Sequence, residues 1–490
     1  MKIRTILSGA VLSACALPIV SYAQTVSLEE VVEQAVLSNP EIKAQFQDFQ
    51  SSLEGQNVAR GGLLPEVTAQ GWTGREWRGK GSQPGERSGS WSRNGYSLEL
   101  RQLLFDGFST LNEVRQLGFE KLSGYFELLA TVDSLASEAT QAYLDVQRYR
   151  EMEELARDNY RIHERTLNQL QERQESGVGR GVDLEQAHGR LSLAQTNLMT
   201  ESGNLNDVTQ RFRRIVGDTP PSTLLGSPEV ADQISVDEGR VIAALSNNPA
   251  LLSKQALVQA ADAGVSSAKG RHAPTLELRA STGKDKGEPG LPYRNAHSSN
   301  VQLVLSYNLF RGGSDQARVR QTKAQSYAAV DVRDYTCRNV QQDLSVAWNN
   351  IVRLREQMPH LQEHERATAK VRVAYMQQFQ IGERSLLDVL DTENELFDSR
   401  RALTNAIYDL KQAEYRWLSL AHQLLPALEL AEPYDERLKE LDELDMPEQA
   451  IQACLAPEPD TSNLKPIAME YQDGTKPPVI ASTKADDDDE

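Results

Sequence analysis

Few residues of this chain stand at spacings that could do chemistry. His360-Leu361-Gln362-Glu363-His364 puts two imidazoles four residues apart with a glutamate beside the second, an inverted form of a zinc-protease pattern. It follows Pro359 inside a long helical stretch, no third ligand accompanies it, and no metal is assigned. Gly79-Lys80-Gly81-Ser82 has the wrong spacing for a phosphate-cradling loop and sits at the tip of a strand pair. No Ser/His/Asp or Cys/His arrangement stands out, so the sequence predicts neither an enzyme nor a cofactor. A net charge of −18 argues against nucleic acid, which demands clustered Lys and Arg. Two carboxylates remain. Asp388 and Asp391 are three apart and share a helix face, while Ser385-x-x-Asp388 also reads as a capping box.

The elements that would position them occur twice. Asn39-Pro40, Arg60-Gly61 and Pro65 recur as Asn248-Pro249, Lys269-Gly270 and Pro274, an offset of 209 residues. Leu104-Phe105-x-Gly107, Val114-Arg115-Gln116, Gly177 and Asp183 recur as Leu309-Phe310-x-Gly312, Val319-Arg320-Gln321, Gly382 and Asp388, at an offset of 205. The first copy therefore carries about four more residues in one loop. Each copy reads as helix, two short alternating strands, very long helix, break and long helix. That is one unit repeated once, over 24–225 and 226–425, rather than a solenoid.

The ends are different in kind. Lys2 and Arg4 precede an apolar run from Ile6 to Val20, and Ser21-Tyr22-Ala23 is a small-x-small cleavage signal. Residues 1–23 read as a secretory signal, with Leu12-Ser13-Ala14-Cys15 as a rival lipoprotein box in which Cys15 is acylated. No later stretch reaches the ~18 apolar residues of a spanning helix. Much of the negative charge lies in an acidic, proline-bearing tail, 426–490, whose end reads as disordered. Cys337 and Cys454 remain after cleavage and can pair in an oxidising compartment.

Four segments alternate with period two. Val301, Leu303, Leu305, Tyr307 and Leu309 share one face against Gln302, Ser306 and Asn308. Leu276/Leu278/Ala280, Tyr96/Leu98/Leu100 and Val67/Ala69 behave alike, with tips expected over 75–93 and 283–297. Such strands suit a transmembrane barrel, yet four cannot close one, so several chains must pool them. From Ser109 to Glu175 there is no proline, which permits a helix of about 100 Å. Its counterpart runs from Ser314 to about Phe379, interrupted only at Pro359, and shorter partners cover Asp183–Val216 and Ser385–Leu420. A soluble periplasmic coiled-coil scaffold would explain the helices but not the attached strand pairs.

The string Gly382-Glu383-Arg384-Ser385-Leu386-Leu387-Asp388-Val389-Leu390-Asp391-Thr392-Glu393-Asn394-Glu395-Leu396 resembles the TolC family of outer-membrane channel-tunnels, over about residues 28–422. The resemblance implies a mixed α/β membrane protein: a homotrimer in which four strands per chain form a 12-stranded β-barrel continuing into an α-helical tunnel. It places the protein in the Gram-negative outer membrane, embedded in its lipid and reaching into the periplasm, with part of the tail and a Cys337–Cys454 contact at an equatorial collar. It implies that Asp388 and Asp391 form carboxylate rings at the periplasmic constriction, which filter by charge. It implies that Arg384 links to Asp183 of its own or a neighbouring chain, although a tyrosine common in the family is Phe379 here. A periplasmic adaptor would meet the turns at Gly177, Gly179, Gly181, Gly382 and Ser385, and an ABC transporter or proton-driven pump would supply energy. Type I secretion of proteins such as large adhesins is expected, with multidrug efflux as the alternative.

Overall fold

The structure, a computed structural model, describes residues 25–79, 89–177, 180–234, 238–286, 296–433 and 444–455. The expected signal segment, Cys15, Gly179 and the acidic end of the tail lie outside the described residues.

Each repeat opens on a helix pair punctuated by its Asn-Pro dipeptide. In the first, α1 (Leu28–Ser38) runs into α2 (Pro40–Gly61). In the second, α5 (Glu238–Asn247) runs into α6 (Pro249–Gly270). Proline sits at the first helical position, where its missing N–H costs nothing, and the asparagine oxygen caps the N–H of Glu41 or Leu251. The two amides then do a second matched job: Asn39 donates to Ile215 O at 2.9 Å and Asn248 to Leu420 O at 3.0 Å. One dipeptide thus starts a helix and closes the end of another.

The strands are β2 (Glu66–Arg78), β3 (Gly89–Phe105), β5 (Thr275–Lys286) and β6 (Ala296–Ser306), with two-residue β1 (Thr25–Val26) and β4 (Thr223–Leu224) paired parallel elsewhere. The four long strands make one antiparallel sheet in the order β2-β3-β5-β6. Strand pairing extends further toward both tips than the alternation suggested, with Arg78 opposite Gly89 and Asp285 opposite Ala296. Gly, Ser and charged residues sustain a ladder there because backbone pairing, not side-chain pattern, carries it. Conversely β6 ends at Ser306, so the expected continuation through Tyr307 and Leu309 is not strand. Val67, Leu98, Leu100, Leu278, Ala280 and Leu303 form one face across the ladder. That face is largely uncovered: Val67, Leu98 and Leu303 are exposed, and Leu100, Leu278 and Ala280 are half-buried.

Two 67-residue helices follow the strands, α3 (Ser109–Glu175) and α7 (Ser314–Gln380), each folding back into α4 (Gly181–Val216) or α8 (Leu386–Leu420). α7 passes through Pro359 without a break, contrary to the expected interruption. Neighbouring turns on both sides and packing on α8 hold it helical, although a proline forfeits one helix hydrogen bond. Gly177 and Gly382 take positive φ (77° and 83°) and end the two long helices.

The thickest core lies midway along the helices, where Tyr143, Trp417, Leu128 and Leu418 pack with α1 and the ends of α4 and α8. Short α9 (Leu424–Ala427) and α10 (Glu448–Cys454) complete that belt, with Cys337 and Cys454 joined by a disulfide, Cα atoms 5.9 Å apart. Just after α9, Glu432 is tied to His422, whose Nδ1 lies 2.7 Å from Asp133 and whose Nε2 lies 2.9 Å from Glu432.

The two repeats are not equally covered. α6 is wedged between α3 and α7, with twelve buried residues, whereas α2 packs on α3 and buries Ile42, Phe49 and Gln56. Correspondingly Leu122 of α3 is 3% exposed, and its counterpart Tyr327 of α7 is 70% exposed. Where the chain crosses itself most tightly, Gly107 (φ 69°) lies on Gly270: a Cβ on Gly107 would stand 2.3 Å from Gly270 O. The counterparts, Gly312 and Gly61, have nothing within 4 Å of such a Cβ.

Candidate functional site: the helix tips and the seam behind them

At the end of α7 the chain turns through Gly382 and re-enters helix at Ser385, which caps it. Ser385 Oγ accepts from Asp388 N at 3.3 Å, and Asp388 Oδ2 accepts from Ser385 N at 3.3 Å and Oγ at 2.9 Å. Asp388 therefore holds the helix start, the capping arrangement legible in its spacing. Arg384 serves the same turn. Its Nε donates to Gln378 at 3.0 Å, its guanidinium lies 3.7 Å from Asp388, and it stacks 4.3 Å over the Tyr375 ring. Within the chain, the ion pair formed by Arg384 is with Asp388 and not with Asp183, which sits in the first turn of α4. Gly177 and Gly181 flank the other tip.

Asp391 is engaged differently from Asp388. Its carboxylate accepts a hydrogen bond from Arg190 of α4, which joins the two helical hairpins. Beside this pair, Leu167, Leu170, Ala187, Leu386 and Leu390 form a small apolar cluster of their own, with Phe379 packed against it. The Arg173 guanidinium lies 5.1 Å over the Phe379 ring. Spacing along the chain could not reveal Arg190 or Arg173, because nothing local relates them to α7 or α8.

Behind the tips, one face of α8 is bonded to α3 and α4 by polar contacts for most of its length. Asn394 meets His163 at 3.3 Å, Arg401 meets Glu201 at 2.8 Å, Thr404 meets Glu151 at 3.1 Å, and Gln412 meets Asp145 at 2.7 Å. Burial drives the His163 pKa down and the Asp145 pKa up, with the Gln412 hydrogen bond opposing the latter shift. His364, from the histidine pair noted above, lies 3.6 Å from Glu395. Among the described residues no cluster of His, Cys, Asp or Glu could hold a metal ion.

His422 gives a pH prediction. Burial alone would lower its pKa, but the hydrogen bonds to Asp133 and Glu432 outweigh that and raise it to about 10. The folded value exceeds the ordinary 6.5, so its stabilisation is complete below pH 6.5 and is lost as pH rises through about 10. His422→Ala should therefore lower the melting temperature most in mild acid to neutral buffer, and the gap from the parent protein should narrow toward pH 10. A pH-independent gap would refute the charged clamp.

In the sheet, the polar face carries linked charges. Glu277 is shared by Arg101 at 2.5 Å and Arg279 at 2.7 Å, and Arg93 meets Asp285 at 2.7 Å. One face is thus polar and cross-bonded, and the other apolar and largely uncovered. No described helix is long and apolar enough to cross a membrane.

The sequence model of the outer membrane efflux proteins matches residues 31–218 and 241–420, one segment on each repeat. The chain is 25% identical to outer membrane protein TolC of Escherichia coli over 418 residues, covering 79% of this chain and 80% of that protein. It is also 25% identical to the alkaline protease secretion protein AprF of Pseudomonas aeruginosa, covering 76% and 80%. The Campylobacter jejuni CmeC outer membrane channel superposes with a TM-score of 0.73 at 16% identity, over 84% of this chain and 88% of that one. CusC gives 0.70 at 17%, over 82% and 91%.

Proposed function

Because the chain belongs to the outer membrane efflux protein family, we propose that it is the exit duct of a tripartite export system, a passive trimeric conduit gated at its periplasmic helix tips. It is an outer-membrane protein whose helices extend into the periplasm. The observation that carries the duct reading is a set of contacts made between the two repeats and left unfinished at the chain's outer edges. β2 and β6 are the two open edges of a sheet with one apolar face, and an open edge in lipid leaves backbone groups without partners. Gly61, Gly312 and Tyr327 are bare in the chain although their counterparts Gly270, Gly107 and Leu122 are covered. A second copy, placed as the second repeat lies on the first, would cover all three and pair β6 with its own β2. Such a head-to-tail contact builds a ring when its rotation completes a circle. Three chains supply twelve strands, as the family resemblance implies.

Within the trimer, Asp388 and Asp391 would face the narrow periplasmic end, and Arg384 would reach a neighbouring chain's Asp183, since its own is not its partner. The turns at Gly177, Gly179, Gly181, Gly382 and Ser385 would receive a periplasmic adaptor, with an inner-membrane ABC transporter or pump supplying energy. The cargo reading is type I protein secretion. The Asp391-to-Leu396 string supports it, as does the similarity to a protein named for alkaline protease secretion. Drug efflux is the second reading, since the chain is also 22% identical to the probable efflux pump protein TtgC of Pseudomonas putida. Deleting the gene separates them. Loss of a large secreted protein with unchanged antibiotic sensitivity supports secretion; the reverse pattern supports efflux. A purified protein that stays monomeric and gives no conductance in planar bilayers would reject the duct altogether.

A further inference from the structure

Resting on that duct reading, we propose that Arg190 is a gating residue, which clips the α7–α8 hairpin to the α3–α4 hairpin through Asp391 and must release it when the tips open. The pair lies close to the tips, on the fifth step past the start of α8 and the ninth past the start of α4. It borders the apolar cluster directly, because Asp391 follows Leu390 in sequence and Arg190 lies one turn beyond Ala187. Across the same cluster, Arg173 of α3 stacks on Phe379 of α7. The two hairpins thus dock through leucines bounded on each side by an arginine from α3 or α4.

Within the chain Arg384 makes no such crossing, since its contacts with Gln378, Asp388 and Tyr375 all stay on its own hairpin. Swinging α7–α8 away from α3–α4 must uncover Leu386 and Leu390 and part Arg190 from Asp391. The side chains of the pair are 34% and 53% exposed, so water and salt screen it, and its strength is that of a latch rather than a permanent tie. Closure also has a charge consequence: a guanidinium held on Asp391 cancels one carboxylate per chain at the mouth. Opening restores that carboxylate, so a parted latch should favour cations.

The test is the conductance of the detergent-purified oligomer in planar bilayers. Arg190→Gln should raise the open fraction about two- to fivefold, the effect of a half-exposed pair, and increase cation preference. Asp391→Asn breaks the same contact from the other side and should reproduce the rise in open fraction. The exchanged pair Arg190→Asp with Asp391→Arg should return gating toward the parent protein, which loss of a merely structural side chain would not allow. Parent-like gating in both single variants, or an exchanged pair as open as Arg190→Gln, overturns the proposal while leaving the duct standing. A parent protein that never conducts overturns the duct instead.

Discussion

Gly107→Val should abolish folding of the chain, seen as loss of protease resistance and of the sheet signal in circular dichroism. Two penalties coincide at this position. Its φ of 69° lies where β-branched side chains are strained, a cost of ~1–3 kcal/mol. Any Cβ there also meets backbone and a fixed methyl, at 2.3 Å from Gly270 O and 2.5 Å from Ala273 Cβ. Neither obstacle is a flexible side-chain end that could move aside, so the chain crossing that seats β3 on α6 must open. The cost of overpacking, ~1–3 kcal/mol or more, adds to the strain. Because this crossing joins the sheet to the helices, its loss should not remain local. Wild-type protease resistance in this variant would mean that the Gly107–Gly270 approach is not required.

Gly61→Val should have the opposite signature: a folded chain that does not assemble. Gly61 ends α2 with ordinary helical backbone, and a Cβ there meets nothing within 4 Å. Its counterpart Gly270, by contrast, would place a Cβ 2.6 Å from Gly107 O. If a neighbouring chain repeats that crossing, its Gly312 backbone lies where the new side chain must go. The expected result is a detergent-solubilised monomer with native helix content and without bilayer conductance, while Gly55→Val, also in open space on α2, should be the milder variant. An assembled, conducting Gly61→Val protein would show that the ring is not built on the internal repeat.

Both predictions depend on a repeat that is legible in the order of the residues alone. Asn-Pro pairs, the positive-φ glycines and the proline-free run from Ser109 to Glu175 are local signals, and local hydrogen bonding makes them readable. Helix α3 accordingly has the bounds its sequence suggested, and Asp388 caps the helix its spacing indicated. The departures are also physical. Pro359 is a strong local signal for a break, yet packing along α8 overrides it. The hairpin tips carry turn-type residues, yet the backbone ladder runs on through Arg78, Gly89 and Lys286.

The site divides along the same line. Asp388 is legible because it acts within a turn of itself, whereas Arg384, expected on Asp183, turns instead to Gln378, Asp388 and Tyr375. Arg190, 201 residues from Asp391, is not legible, because its partner depends on how two helical hairpins register against each other. By itself, then, the sequence determined a doubled unit of amphipathic strands and long helices, since periodicity and capping are properties of a few neighbouring residues. Only the tertiary structure decided which charges face across the seam and that Gly61, Gly312 and Tyr327 are left bare while their counterparts are covered, because both follow from packing between segments far apart in the chain.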